Sequence, residues 1–387
     1  MAVQGSRLWQ RIMRLAQIGA QESGGISRLS FTSEERKAKD LTAEYMKEAG
    51  LEVREDAAGN LIGRKEWNNS QLSPIVIGSH IDTVVQGGKF DGALGVLAGI
   101  EAVQSIVEQG LTLKHPVEVV AFTDEEGARF GFGMIGSRAM AGTLNEEDLS
   151  CRDSEGVSIR EAMLAAGLEP ALIAGAKAPG IHAYLELHIE QGQVLESASL
   201  PAGIVTGIAG PLWMKVKLKG QAGHAGAAPM RFRKDALAAA AAVIVRIEDI
   251  ARSYPVAVAT VGKLQLLPGG INIIPSDVEF SIDLRDIDAN IRDEAEAKIR
   301  AAIAEICVPR GITWELEDFQ RVPPVPCSKQ VQSIVAKACV LAGIEPLYLP
   351  SGAGHDAMQF REVCPIGMIF VRSELGISHN PKEWSSF

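Results

Sequence analysis

Cysteine is scarce and shows no pairing pattern. Cys151, Cys307, Cys327, Cys339 and Cys364 are scattered, odd in number and never arranged as C-x-x-C. That argues against a disulfide framework and for a reducing compartment. An excess of basic residues is also lacking, the formal net charge being -10. Such a balance speaks against nucleic acid or an anionic membrane as the main partner. It leaves room for a small anionic substrate, because one buried arginine can hold a carboxylate. No apolar run approaches the roughly 20 residues of a membrane span; the longest is Ala236 to Val245. The first residues lack the uninterrupted apolar core of a signal peptide and read as an amphipathic helix. A soluble, cytoplasmic protein is expected. Neither G-x-G-x-x-G nor G-x-x-x-x-G-K-S/T occurs, so nucleotide binding has no support.

Aromatic residues are few (5%), but the 47% hydrophobic content is ample for a core in 387 residues, enough for one large domain or two ordinary ones. Short apolar runs alternate with helical patterns in the first half. Pro74–Gly78, Val117–Phe122, Ala183–Leu187 and, near the end, Gly367–Val371 read as buried strands; Gly92–Val107 reads as a helix. A sheet flanked by helices follows. Between about Leu212 and Val325 the rhythm changes. Trp213–Lys219 largely alternates apolar and charged residues, as a half-exposed strand does. An Ala-rich helix over Lys234–Ala251 follows, then strands over Val256–Leu266 and Asp277–Arg285, a helix over Ala289–Cys307 and a strand over Ile312–Leu316. The order βαββαβ predicts a one-sheet α+β module inserted into an α/β domain. The predicted boundaries are 1–211, 212–327 and 328–387, with Pro323, Pro324 and Pro326 in the return linker. The chain stops at Phe387, just past a His-containing loop and without a terminal helix, as a trimmed sequence would.

The chain has seven histidines, and three occupy comparable places. His80, His188 and His379 each follow a predicted strand, where open α/β sheets place their ligands. Asp82 and Asp91 lie beside the first, and Glu125 and Glu126 follow the strand Val117–Phe122. Imidazole with carboxylate suits Zn, Mn, Co or Ni, and no cysteine is placed for a thiolate site. Glu125 and Glu126 are adjacent, so their side chains are expected to diverge, one towards a metal and one towards water. Residue order alone does not say which. The alternative is a solvated acidic turn at Asp124-Glu125-Glu126. Gly87, Gly88 and Gly92 are read as shaping the loop that carries Asp91; His115 and His182 are read as structural or surface residues.

The segments GSHIDTVVQGGKFDGALGV, FTDEEGARFGFGMIGSRAMAG, ELHIEQGQVLE, GHAGAAPM, GGINIIP, LPSGAGHDAM and ISHNPKEW occur in this order between about Gly24 and Trp384. Together they resemble the carbamoylase branch of the M20-type metallo-amidohydrolases. The resemblance implies a zinc-aminopeptidase-like catalytic domain, a mixed sheet between helices, whose α+β insert serves as lid and dimerisation surface. It implies two divalent metal ions bridged by Asp91, with His80 and His379 on opposite ions and Glu126 and His188 completing the two sets. Asp82 becomes the acid that orients the His80 imidazole, and Glu125 the general base.

The same resemblance assigns substrate contacts. Gln191 would bond an amide or ureido group, and Asn272 and Arg285 the substrate carboxylate. His224 would bond the developing oxyanion, from the partner subunit of a homodimer. His355 is a further contact, and Gly352 and Gly354 let backbone amides approach. Arg285 pairing merely with Asp283 or Asp286, and His224 as an ordinary loop residue, are the competing readings. The expected activity is hydrolysis of an N-carbamoyl-L-amino acid to the amino acid, CO2 and ammonia. Allantoate amidohydrolase is the alternative, then β-ureidopropionase or a peptidase or deacylase. A catalytically silent binding protein would lack a ligand or the base, and all six positions are filled.

Overall fold

The computed structural model describes residues 3–67 and 71–386 and falls into two compact units. Phe387, the residue on which the expectation of a trimmed end rests, lies outside the described residues. One unit comprises Met1–Thr206, Cys327–Leu349 and His355–Phe387; the other comprises Gly207–Pro326 with Pro350–Gly354.

The larger unit is built on a mixed sheet. Its centre is parallel: Val117–Phe122, Ile75–His80, Ala183–Ile189 and Ile366–Val371 run side by side. Antiparallel strands flank them, Leu61–Lys65 and Glu52–Glu55 on one side and Ala202–Ile208 on the other. Alternation decides what each face carries. Leu187 and Ile189 pack with the helix Ala93–Glu108, while Leu185 packs with the helix Lys329–Leu341. Gly99 lets the first helix approach closely, since a Cβ there would sit 2.9 Å from Ile77. The opposite face carries Tyr184, Glu186 and His188, with Tyr184 stacked on Phe360 at 4.5 Å. His80 closes its strand, whereas His188 lies inside a strand that runs to Ile189. The strand was expected to stop at Leu187; pairing of Phe370 with His188 and of Val371 with Ile189 carries it further.

The smaller unit has an antiparallel sheet in the order Leu264–Leu267, Asp277–Asp286, Gly210–Lys219, Thr313–Arg321, with Val258–Thr260 also on the second strand. Helices Ala236–Arg252 and Ala289–Cys307 share its core with Leu212, Met214, Val216, Leu218, Phe280 and Ile282. The single strand expected over Val256–Leu266 is two short ones, broken around Gly262. The last strand extends beyond Leu316 to Arg321, because it pairs with Leu212–Lys219 across a register shift between Asp318 and Gln320. Gly223–His224 and Ile273–Ile274 form a separate two-stranded ribbon. Among the described residues, no helix is long and apolar enough to cross a membrane.

Candidate metal centre

His80, Asp91, Glu126, His188 and His379 converge in the larger unit. Their ligand atoms form two sets, His80/Asp91/His188 and Asp91/Glu126/His379, each within 4.8 Å, and Asp91 belongs to both. Asp91 Oδ1 lies 3.0 Å from His188 Nε2 and 3.6 Å from His80 Nε2. On its other side, Oδ2 lies 3.4 Å from His379 Nε2, which is 3.3 Å from Glu126 Oε2. His80, Asp91 and His188 are buried, and the His379 side chain is half exposed. Gly92 makes room for this arrangement. Its φ is +59°, and a Cβ there would meet the His80 ring at 2.4 Å.

The other nitrogen of two imidazoles is tied to the main chain. His80 Nδ1 lies 3.1 Å from the Asp82 carbonyl and His188 Nδ1 lies 2.9 Å from the Ile189 carbonyl. A carbonyl only accepts, so Nδ1 carries the proton and a neutral ring turns the Nε2 lone pair towards Asp91. Lone pairs facing a carboxylate repel unless a proton or a cation lies between them. Glu126 Oε1 is buried with no hydrogen-bond partner among the described residues, a further acceptor without a donor. This donor set fits divalent cations of the Zn, Mn, Co or Ni type. Without them, protons fill the role. Burial lowers the His188 pKa, but the charge and hydrogen bond of Asp91, the Glu186 charge and the Ile189 carbonyl together outweigh it and push it up to about 9; hydrogen bonds to Asp91 and Glu126 push His379 up to about 10.

The acidic turn after Val117–Phe122 is buried, Asp124 being 1% exposed. Asp124 adopts φ +55°, a left-handed conformation that costs energy in a non-glycine residue. Its neighbours diverge: Glu125 Oε2 approaches His80 Nε2 at 3.5 Å, while Glu126 turns to His379. Burial, and then the charges of Asp356 and Glu126, hold the Glu125 carboxyl well above the usual range. The Asp82 carboxylate stands 3.7 Å from His80 Nδ1, beyond hydrogen-bond reach, and accepts the backbone N–H groups of Glu125 and Glu126 at 3.2 Å each. Its main-chain carbonyl, not its side chain, meets the imidazole. Asp82 thus orients the ring and the glutamate pair with different atoms.

Gln191 adopts φ +57° and donates through Nε2 to Asp91 Oδ2 at 2.9 Å. Its Oε1 is a buried acceptor with no partner among the described residues. His355 is buried edge-on against His188 at 4.5 Å; burial, then the nearby His188, holds it well below the usual imidazole range. Ser378 and Glu186 are among the groups that escaped the sequence reading. The Ser378 hydroxyl donates to Asp91 Oδ2 at 2.8 Å. Glu186 sits behind His188 and accepts from Ser79 Oγ, Tyr184 Oη and the Ala357 N–H at 3.0–3.1 Å. Glu186, His188 and His355 make a third close set. The signal for Glu186 was available: an acid two residues before His188 shares its face of the strand.

The remaining candidates belong to the smaller unit. His224 pairs with Ile273 on the two-stranded ribbon, and just beyond it the Ala225 N–H donates to the Asn272 carbonyl at 2.9 Å. His224 Nδ1 accepts the N–H groups of Gly226 and Ala227 at 3.1 and 3.2 Å, so the proton of the neutral ring sits on Nε2. Arg285 engages Asp283 through Nε and Nη2 at 2.8–3.1 Å and donates from Nη1 to the Gly352 carbonyl at 2.8 Å. The pairing with Asp283 is real, but it uses one edge of the guanidinium. One N–H on each terminal nitrogen remains, a fork that can still take a carboxylate. Gly354 is exposed.

The profile of peptidase family M20/M25/M40 matches residues 76–386. An N-carbamoyl-L-amino acid amidohydrolase of Geobacillus stearothermophilus is 57% identical over 99% of this chain and 94% of its own length. One from Pseudomonas sp. (strain NS671) is 46% identical over 98% and 93%. The crystal structure of a hydantoinase/carbamoylase family amidase from Burkholderia multivorans superposes with a TM-score of 0.94 at 36% identity, covering 99% of this chain and 93% of that one. The aminopeptidase-like α/β fold expected from the sequence motifs agrees with these matches. The chain belongs to peptidase family M20/M25/M40 and, within it, to the hydantoinase/carbamoylase amidases.

Proposed function

We propose that the chain is a two-metal amidohydrolase that cleaves N-carbamoyl-L-amino acids. One observation carries this reading: a single buried carboxylate, Asp91, is shared by two sets of imidazole and carboxylate donors. The 57% identity to an N-carbamoyl-L-amino acid amidohydrolase supports the substrate class. Bound in these sets, two divalent cations would supply polarisation of the ureido carbonyl and acidification of the attacking water.

Glu125 takes a proton from that water as the water attacks the carbonyl carbon. Its raised proton affinity suits the acceptor, and it then delivers the proton to the amino-acid nitrogen as the C–N bond breaks. Carbamate leaves and decays to CO2 and ammonia. We assign the Nε2–H of His224 to the oxyanion that develops on the carbonyl oxygen. The free fork of Arg285, with Asn272, is assigned to the α-carboxylate. Gln191 Oε1 is the acceptor for a ureido N–H, with His355 and Gly354 as further contacts.

We also assign a homodimeric state. Met230, Phe232, Leu267 and Ile271 of the insert are exposed apolar side chains that a second copy would cover. The five free thiols suit the cytoplasm we assign to it. The test is a rate panel of N-carbamoyl-L-methionine, N-carbamoyl-β-alanine, allantoate and a dipeptide, each after reconstitution with Mn, Co, Ni or Zn. The carbamoyl-L-amino acid should be fastest. Faster turnover of allantoate than of every carbamoyl amino acid would overturn the substrate assignment.

A further inference from the structure

His379 is the most exposed of the five donors, and its backbone is left-handed at φ +53°. A ligand on such a loop needs something to hold it in place. The candidate is Glu383, four residues further along and only 2% exposed. Its Oε1 accepts the backbone N–H groups of Phe90 at 2.8 Å and Asp91 at 3.1 Å. Its Oε2 lies 3.2 Å from Ser378 Oγ, whose shorter contact, 2.8 Å, goes to Asp91 Oδ2. Gln191 Nε2 donates to the same hydroxyl at 3.1 Å, which frees the single serine proton for the carboxylates. Glu383 therefore grips the Asp91 loop by its backbone and reaches the Asp91 carboxylate through the residue next to His379.

The fit leaves no slack. A Cβ on Gly88 would lie 2.0 Å from the Glu383 carboxyl group, so glycine there is what admits the side chain. The adjacent Trp384 packs on Phe90 at 5.6 Å and on Trp9 at 5.4 Å, both edge to face, which closes the junction from outside. These contacts join segments nearly 300 residues apart in sequence.

We propose that Glu383 is a positioning residue. It sets the spacing between Asp91 and His379, and so the affinity of the cation that these two share with Glu126. The inference rests on the two-cation reading above. Partners that orient ligands typically cost about 10–100-fold in metal affinity when removed.

The experiment titrates metal-free protein with Mn or Co alone by calorimetry. Wild type should take two equivalents. Glu383→Ala should take the first as wild type does and hold the second about 10–100-fold more weakly. Glu383→Gln keeps an oxygen for both N–H groups and can donate to Ser378, so its two affinities should stay within about threefold of wild type. Gly88→Ala, which displaces Glu383 without removing it, should behave like Glu383→Ala, and decides the matter if Glu383→Ala does not fold. Unchanged affinities in both alanine variants overturn the proposal. So does an equal loss at both cations, which is what a merely structural role would give, or a Glu383→Gln as weak as Glu383→Ala. A wild type that takes fewer than two equivalents overturns the two-cation reading, and this inference with it. Two equivalents bound with no hydrolysis of carbamoyl amino acids would overturn the substrate assignment alone.

Discussion

The donors of the larger unit and the candidate substrate groups of the smaller one are held in different ways. His80, Asp91 and His188 are buried, and each is braced by hydrogen bonds from main chain or neighbouring side chains. His224, by contrast, is exposed and its ring is braced by the N–H groups of its own turn, while the Arg285 side chain is braced by Asp283 and the Gly352 carbonyl. The first arrangement prepays the ordering of ligands around a charge, so little reorganisation is left for the reaction itself. On the proposed roles, the second would let side chains adjust to a substrate, which is where differences in specificity can accumulate at small cost to the fold. The metal donors and the substrate-reading groups of that proposal are thus braced to different degrees.

The comparison breaks most visibly at Glu125. Glu125→Gln should keep the metal content and lower kcat by about 10³-fold, within the range for removal of a general base. Steady-state rates alongside metal analysis check this, and near wild-type turnover would remove Glu125 from the reaction. A proton competition comes next. In the metal-free protein His188 and His379 hold protons up to pH values of about 9 and 10. Metal must displace a proton at each, so below those values affinity falls as pH falls, by about tenfold per unit for each imidazole. Calorimetric titrations between pH 6 and 8 should show roughly a 100-fold change for either cation. A pH-independent affinity would mean that the Asp91 contacts do not raise these groups.

The selecting groups should answer differently. Arg285→Lys replaces a planar fork with a point charge and should raise KM about 30-fold, with kcat little changed. Asp283→Asn keeps the fork but loosens it, and should raise KM only about threefold. If either substitution cut kcat and left KM alone, Arg285 would belong with the stiff chemistry and the contrast between the units would fail.

How much of this could be read beforehand follows the same division. Histidines following strands, with acids nearby, marked a metal site in a crevice; Asp91 as the shared donor, and Glu126 in place of Glu125 as a ligand, came from the ordered motifs of the family resemblance. The helix Ala289–Cys307 was legible to the residue, because its amphipathic pattern and the Asp288 cap lie next to each other. Strand limits were not: His188 was placed after its strand, since the pairing with Ile366–Val371 that extends it is invisible in a local window. The family resemblance assigns Asp82 to the imidazole, while its carboxylate turns to two backbone amides more than forty residues away. Ser378 and Glu383 reach Asp91 through contacts spanning nearly 300 residues, which a local window does not show.

Everything above turns on Asp91 serving two cations at once. X-ray absorption spectroscopy of protein reconstituted with Co or Zn tests this directly. The account predicts two equivalents per chain and a metal–metal scattering path at about 3.5–4 Å. A single equivalent, or two with no metal–metal path in that range, would contradict it.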